Sequence, residues 1–218
     1  MYYELTNNYE TNVDPNKPIY IMWSGGMDST ALLYSTAKTF GTRKNPIYAI
    51  SVSTDSINSA YKERWIRKQQ KKIFKKEKLH IRYINIDIRH GYGKYNIQNY
   101  CSTMLQPLLW LSCLLFIYKY NNSAQVLFGY VRGDDIWHKI HEFKQIFNSY
   151  KMFVENTTIE LRFPLEWITK QEVIKFLIKH NLINYTTYCE GYGIKPCGQC
   201  MSCKRVLLAK REMEEIDE

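Results

Sequence analysis

Residues 18–30, Pro-Ile-Tyr-Ile-Met-Trp-Ser-Gly-Gly-Met-Asp-Ser-Thr, constrain this chain more than any other stretch. Residues 19–23 are apolar and predict a short buried strand. Ser24, Gly25 and Gly26 then turn the chain, and Asp28, Ser29 and Thr30 open an amphipathic helix. A strand, a glycine turn and a helix start together make an anion site. Glycine lets the backbone approach a ligand without a Cβ. The first helical N–H groups lack internal partners and sit at the positive end of the helix dipole. A phosphate group satisfies them. The loop is not Walker A, because no lysine follows the glycines, and it lacks the G-x-G-x-x-G of dinucleotide folds.

Strand and helix patterns alternate down the chain. Residues 47–52 predict a second strand, 80–88 a third, 125–130 a fourth and 158–164 a last short one. Helices are expected over residues 59–78, over 103–120, after 135 with Ile136, Ile140, Phe143 and Phe147 on one stripe, and after a capping box at Thr169 and Glu172. On the helix over 59–78, Trp65, Gln69 and Ile73, with Ile66 and Phe74 beside them, are expected to face inward. The pattern is that of an α/β fold, a doubly wound parallel sheet of Rossmann-like type. It divides into a lead-in over residues 1–17, a nucleotide-binding α/β domain over 18–182, and a small C-terminal metal-binding region over 183–218. In an open parallel sheet the strand ends carry the ligand, which places residues 53–56 beside it. Ser53 is therefore a nucleotide-binding candidate, with helix capping the equal alternative.

The chain has 218 residues and is 45% hydrophobic, enough for one good core. Its net charge is +9, and much of the excess lies in residues 61–78. A solvated helix face is the reading preferred there over a nucleic-acid patch. Residues 1–16 lack the basic and apolar regions of a signal peptide, and the most apolar run, 108–118, is too short to span a bilayer. A soluble, cytoplasmic protein without a membrane partner is expected.

Cys189, Cys197, Cys200 and Cys203 fall within fifteen residues, and Gly198 lets the loop fold back. Four thiolates at this spacing suit tetrahedral Zn²⁺ with no open position, so the metal's role is structural. Disulfides and an iron–sulfur cluster are the alternatives. Cys101 and Cys113 read as core residues.

The Ser-Gly-Gly-x-Asp-Ser loop resembles that of the PP-loop ATP pyrophosphatases, which split ATP between the α and β phosphates. Together with Cys-x7-Cys-Gly-x-Cys-x2-Cys, it resembles the QueC family, the 7-cyano-7-deazaguanine synthases. Gly129 with Asp134, and Phe163-Pro164-Leu165 with Trp167 and Lys170, match further family steps. Two segments depart from the family: residues 101–107 replace a Pro-Gly-Arg-Asn stretch, and residues 135–142 replace an acidic glycine-containing loop.

The resemblance implies an ATP-dependent ligase that adenylates the carboxylate of 7-carboxy-7-deazaguanine. Ammonia, or another amine, then displaces AMP, and a second ATP turns the amide into the nitrile. Ser24, Gly25, Gly26, Met27, Asp28, Ser29 and Thr30 would hold the nucleotide, with Ser24, Asp28 and Ser29 closest to the chemistry. Asp28 would help hold Mg²⁺. Gly129 would approach the nucleotide. Asp134 would accept a hydrogen bond from a guanine-like edge, or cap a helix. A homodimer is one expected partner arrangement, and nucleic acid is the less favoured one. The other readings are a tRNA-modifying PP-loop enzyme and a nucleotide-binding subunit without turnover.

Overall fold

A computed structural model describes residues 13–54, 59–88, 102–151, 158–191 and 195–216. Five strands, β1 (Ile19–Met22), β2 (Ile47–Thr54), β3 (Ile81–Ile88), β4 (Ser123–Leu127) and β5 (Thr158–Arg162), form one sheet. Six helices accompany them: α1 (Met27–Phe40), α2 (Ala60–Lys76), α3 (Ser102–Tyr120), α4 (Ile140–Lys151), α5 (Lys170–Lys179) and α6 (Met201–Ile216). The strand order is β3-β2-β1-β4-β5 and every pairing is parallel. The expected doubly wound α/β sheet is therefore what forms.

Side chains alternate across β1 and divide the core in two. Ile19, Ile21 and Trp23 join α1, α2, α5 and α6 on one face of the sheet. Tyr20 and Met22 join α3 and α4 on the other. Because both faces are covered at its centre, β1 reads as an apolar run, whereas the edge strand β3 alternates. Leu182, Val206 and Ala209 share the first core with α1 and α5, so the start of α6 packs onto the sheet domain.

β1 lies between β2 and β4, where the chain order reverses. Parallel sheets open a crevice at that point, beyond the carboxyl ends of the strands. The Ser-Gly-Gly loop leaves β1 there.

Two local expectations need adjustment, and one between them holds. β4 stops at Leu127, so Gly129 lies just past the strand rather than within it. The capping box forms as expected: the Glu172 N–H donates to Thr169 Oγ1, and the Thr169 N–H donates to Glu172 Oε2. The inward face of α2 is turned by about one residue from the expected stripe. Ile66, Gln70 and Phe74 are buried with Lys62 and Arg67, while Trp65 is 43% exposed. Counting apolar residues missed this because polar side chains on the inner face bond to loops far away in sequence. Cys113 is a core residue as expected, and burial pushes its thiol up to about 12. Cys101, residues 55–56 and most of the lead-in lie outside the described residues. Among the described residues, no helix is long and apolar enough to cross a membrane.

Candidate active site

The loop after β1 is built from backbone geometry. Gly25 has φ +93°, a conformation that other residues adopt only with strain. Its N–H neighbour at Gly26 donates to Ser24 Oγ at 3.1 Å, and Ser24 Oγ lies 3.1 Å from Ser29 Oγ. Ser29 Oγ also donates to the Gly26 carbonyl at 3.2 Å. Gly26 is the N-cap of α1, and no side chain caps the helix. A helix start left open in this way, with hydroxyls beside it, is suited to an anion.

α2 holds the loop from behind. Arg67 Nη1 donates to the Ser24 carbonyl at 2.7 Å. Gln70 is fully buried, accepts from Trp23 Nε1 at 2.9 Å, and shares its amide N–H groups among Gly25 O, Thr30 Oγ1 and Tyr185 O. Lys62, 2% exposed, donates to the Gly191 carbonyl at 2.9 Å. Burial lowers the Arg67 pKa, an effect partly offset by Glu63. These donors satisfy loop acceptors far from α2 in sequence.

Past β4, Gly129 comes very close to α1. A Cβ there would lie 3.0 Å from the Ser29 nitrogen. Only glycine lets the two segments meet without displacing the start of α1.

The resulting cleft has a volume of about 250 Å³. Ser24, Gly26, Met27, Asp28, Ser29, Gly129 and Asp134 all line it. Gly25, Thr30 and Ser53 do not. Gly25 turns its backbone toward α2, and Thr30 Oγ1 is engaged by Gln70. Ser53 Oγ donates to Asn85 Oδ1 on β3 at 2.9 Å.

Three carboxylates and two cations converge in the cleft. Lys170 Nζ is 2.6 Å from Asp28 Oδ2 and 3.8 Å from Asp134 Oδ1. Arg205 pairs with Asp135 and lies 3.8 Å from Asp134. Burial alone would lower the Lys170 pKa, but Asp28 and Asp134 outweigh it and raise it. Burial, reinforced by the Asp28 charge, raises Asp134 to about 6 against the pull of Lys170, the Val131 N–H and Arg205. Asp134 does not cap the following helix: its Oδ2 accepts from the Val131 N–H behind it at 3.1 Å. Asp28 Oδ1 is buried and has no hydrogen-bond partner among the described residues. That orphaned oxygen is a ready ligand for a hard cation such as Mg²⁺.

The cysteine region closes one wall. Gly26 and Thr187 form a parallel bridge, and the Thr187 N–H donates to the Gly25 carbonyl at 3.3 Å. The chain then enters the cluster through Cys189, which also lines the cleft. The four cysteine sulfurs lie within 4.8 Å of one another. Backbone N–H groups of Gly191 and Cys197 donate to Cys189 Sγ, and those of Gln199 and Cys200 to Cys197 Sγ. The N–H groups of Cys200 and Gln199 pull the Cys197 thiol down to about 6, whereas burial pushes Cys203 up to about 12. Four sulfurs around one ion at a Zn–S distance of ~2.3 Å stand ~3.8 Å apart. An iron–sulfur cubane spreads its sulfurs more widely, since each binds a different iron. The donor set therefore fits a single tetrahedral ion.

Residues 120–213 match the family model described as queuosine biosynthesis protein QueC. Over those residues the chain is QueC-like. The QueC-like segment contains Gly129, Asp134, Lys170, Arg205 and all four cysteines; the Ser-Gly-Gly loop lies before it. The fold as a whole matches the solved structure of the U34-tRNA thiolase NcsA from Methanococcus maripaludis with its 4Fe–4S cluster. The TM-score is 0.57 at 13% identity, over 98% of this chain and 72% of that one. This likeness covers both the loop and the QueC-like segment and shows a shared α/β fold. No curated protein sequence matches the chain.

Sequence reasoning had missed Arg205 and the inner face of α2. Arg205 stands two residues beyond the last cysteine, and its position on α6 was the available signal. For Arg67 and Gln70 there was none, because their partners are loop carbonyls. The sequence marks Lys170 only as part of a family step; the structure sets it against Asp28.

Proposed function

We propose that this protein is an ATP-dependent ligase that adenylates a carboxylate on a 7-deazaguanine-type base, taken to be 7-carboxy-7-deazaguanine. The observation that carries the reading is the open α1 start in the same cleft as Lys170, Asp28 and the cysteine region. The substrate carboxylate oxygen attacks the α phosphorus, and pyrophosphate leaves. Ammonia or another amine then attacks the acyl carbon, AMP leaves, and an amide forms. With ammonia, a second ATP adenylates the amide oxygen, and loss of AMP and two protons gives the nitrile.

Ser24, Ser29 and the first N–H groups of α1 would bind the leaving pyrophosphate as its charge develops. Asp28, through Oδ1, would hold Mg²⁺, which neutralises phosphate oxygens when bound. Lys170 and Arg205 add positive charge to the same wall. Asp134, once ionised, would accept from the N–H edge of the base. Cys189, Cys197, Cys200 and Cys203 would hold Zn²⁺ and fix the wall that carries Thr187 and Glu190. The amine could also be something larger than ammonia, because residues 135–142 differ from the family pattern beside Asp134.

A second reading, an enzyme acting on a base within tRNA, is favoured by the fold shared with a tRNA thiolase. ATP, Mg²⁺, ammonium and 7-carboxy-7-deazaguanine are the test mixture, with pyrophosphate release and product mass as readouts. The leading reading expects pyrophosphate release that depends on the acid, and a product with the amide or nitrile mass. ATP binding without acid-dependent release would overturn it.

A further inference from the structure

α2 has a second face, turned to solvent. At 100° per residue, Tyr61, Arg64, Trp65, Lys68, Lys72, Lys75 and Lys76 fall within an arc of about 120°. All seven are exposed, Tyr61 at 66% and Trp65 at 43%. The arc holds five cations, two aromatic rings and no carboxylate. Among the described residues, none of the five cations forms an ion pair.

An ordinary solvated helix face does not look like this. It interleaves acids with bases at i,i+4, because opposite charges support the helix and like charges weaken it. Here Arg64, Lys68, Lys72 and Lys76 follow one another at i,i+4, so the helix carries uncompensated repulsion. Two large rings are also left in water although α2 has an apolar inner face to receive such residues. Both features make sense if a polyanion with flat, stackable groups covers the arc.

We propose that the outer face of α2 binds single-stranded nucleic acid. The five cations run along about 18 Å of helix, and their task is to neutralise successive phosphates. Tyr61 and Trp65 offer stacking surfaces for unpaired bases. Their place in the molecule is informative. Ser59, Ala60 and Glu63, at the start of the same helix, line the cleft, so the aromatic end of the arc is at the end of α2 nearer the cleft and the basic tail runs away from it. A strand bound there is led toward the site. A duplex would keep its bases stacked on one another and leave the rings unused. A lipid surface fits less well, because an interfacial helix must present an apolar face, and here Ile66 and Phe74 are packed inside the protein. The inference goes beyond the proposed reaction and depends on neither ATP nor the identity of the base, so either can fail without the other.

The test is fluorescence anisotropy on the full chain with a labelled twelve-nucleotide strand, as RNA and as DNA, from 50 to 200 mM KCl. The duplex of the same sequence and vesicles of phosphatidylcholine and phosphatidylserine are the comparisons. At least one single strand should bind more tightly than its duplex, with a slope of log affinity against log salt of up to about −3.5 for five phosphates. The triple variant Arg64→Gln, Lys68→Gln, Lys72→Gln should reduce that slope by about 2. The double variant Tyr61→Ala, Trp65→Ala should weaken binding about tenfold or more while leaving the slope unchanged. A control with Lys44→Gln, Lys175→Gln and Lys210→Gln, three exposed lysines outside α2, should bind like the parent protein. Circular dichroism on each variant verifies that it folds. The proposal fails if neither strand binds at 50 mM KCl, if duplex or vesicles bind better, if the aromatic pair has no effect, or if the control weakens binding as much as the triple variant.

Discussion

On the inner side of α2, Lys62 and Arg67 are 2% and 4% exposed, and each hands its charge-assisted hydrogen bond to a loop carbonyl. On the outer side, five cations of the same kinds stand in water beside Tyr61 and Trp65. Lys71 lies between the two sets, its ammonium over the rings of Trp23 and Tyr83, and burial lowers its pKa. Seven of the helix's eight basic residues thus fall into two sets. Burying a cation costs far more than exposing one, unless hydrogen bonds replace the lost water. The inner pair meets that condition because the Ser-Gly-Gly loop and the cysteine region carry carbonyls that accept from it. Residues alike in composition are therefore architecture on one side and free charge on the other, and the phase of the helix alone separates them.

The sharpest way to break this comparison is at Gln70. Its removal by Gln70→Ala strands the Trp23 indole N–H and the Tyr185 carbonyl in the interior, and should cost about 3 kcal/mol. Urea unfolding measures it, and a cost below ~1 kcal/mol would mean that the inner face does not clamp the loop. Next is Arg67→Met, which keeps the buried stem but leaves Ser24 O and Glu63 without the guanidinium. It should cost about 2 kcal/mol and weaken ATP binding by calorimetry, since the Ser24 carbonyl is then free to move. Smallest is the outer triple Arg64→Gln, Lys68→Gln, Lys72→Gln. Its stability should stay within about 0.5 kcal/mol of the parent, or rise slightly as repulsion is relieved. A loss comparable to that of Arg67→Met would erase the distinction between the faces.

Much of the fold was legible in the residues. The apolar runs at 19–23 and 47–52, the glycine turn, the capping box at Thr169 and the stripe of Ile136, Ile140, Phe143 and Phe147 are signals carried by neighbours in sequence. The cysteines were legible for the same reason: their spacing is local, and their sulfurs do come together. The candidate site was legible along one strand–turn–helix and opaque elsewhere. Thr30 and Ser53 stood in plausible positions, yet the structure turns Thr30 to Gln70 and Ser53 to Asn85. The direction of a side chain at a strand end depends on which strand lies beside it.

By itself, then, the sequence determined where strands alternate with helices, where a glycine turn leaves a helix start without a side-chain cap, and which four thiols can share one ion. These are short-range properties, set by periodicity, by glycine's missing Cβ and by spacing along a few turns. Tertiary structure decided which face of α2 looks inward, that Lys170 meets Asp28 across 142 positions, and that Arg205 joins Asp134 in the same cleft. A buried charge or amide settles wherever a distant partner can replace water, and no local pattern records where that partner stands.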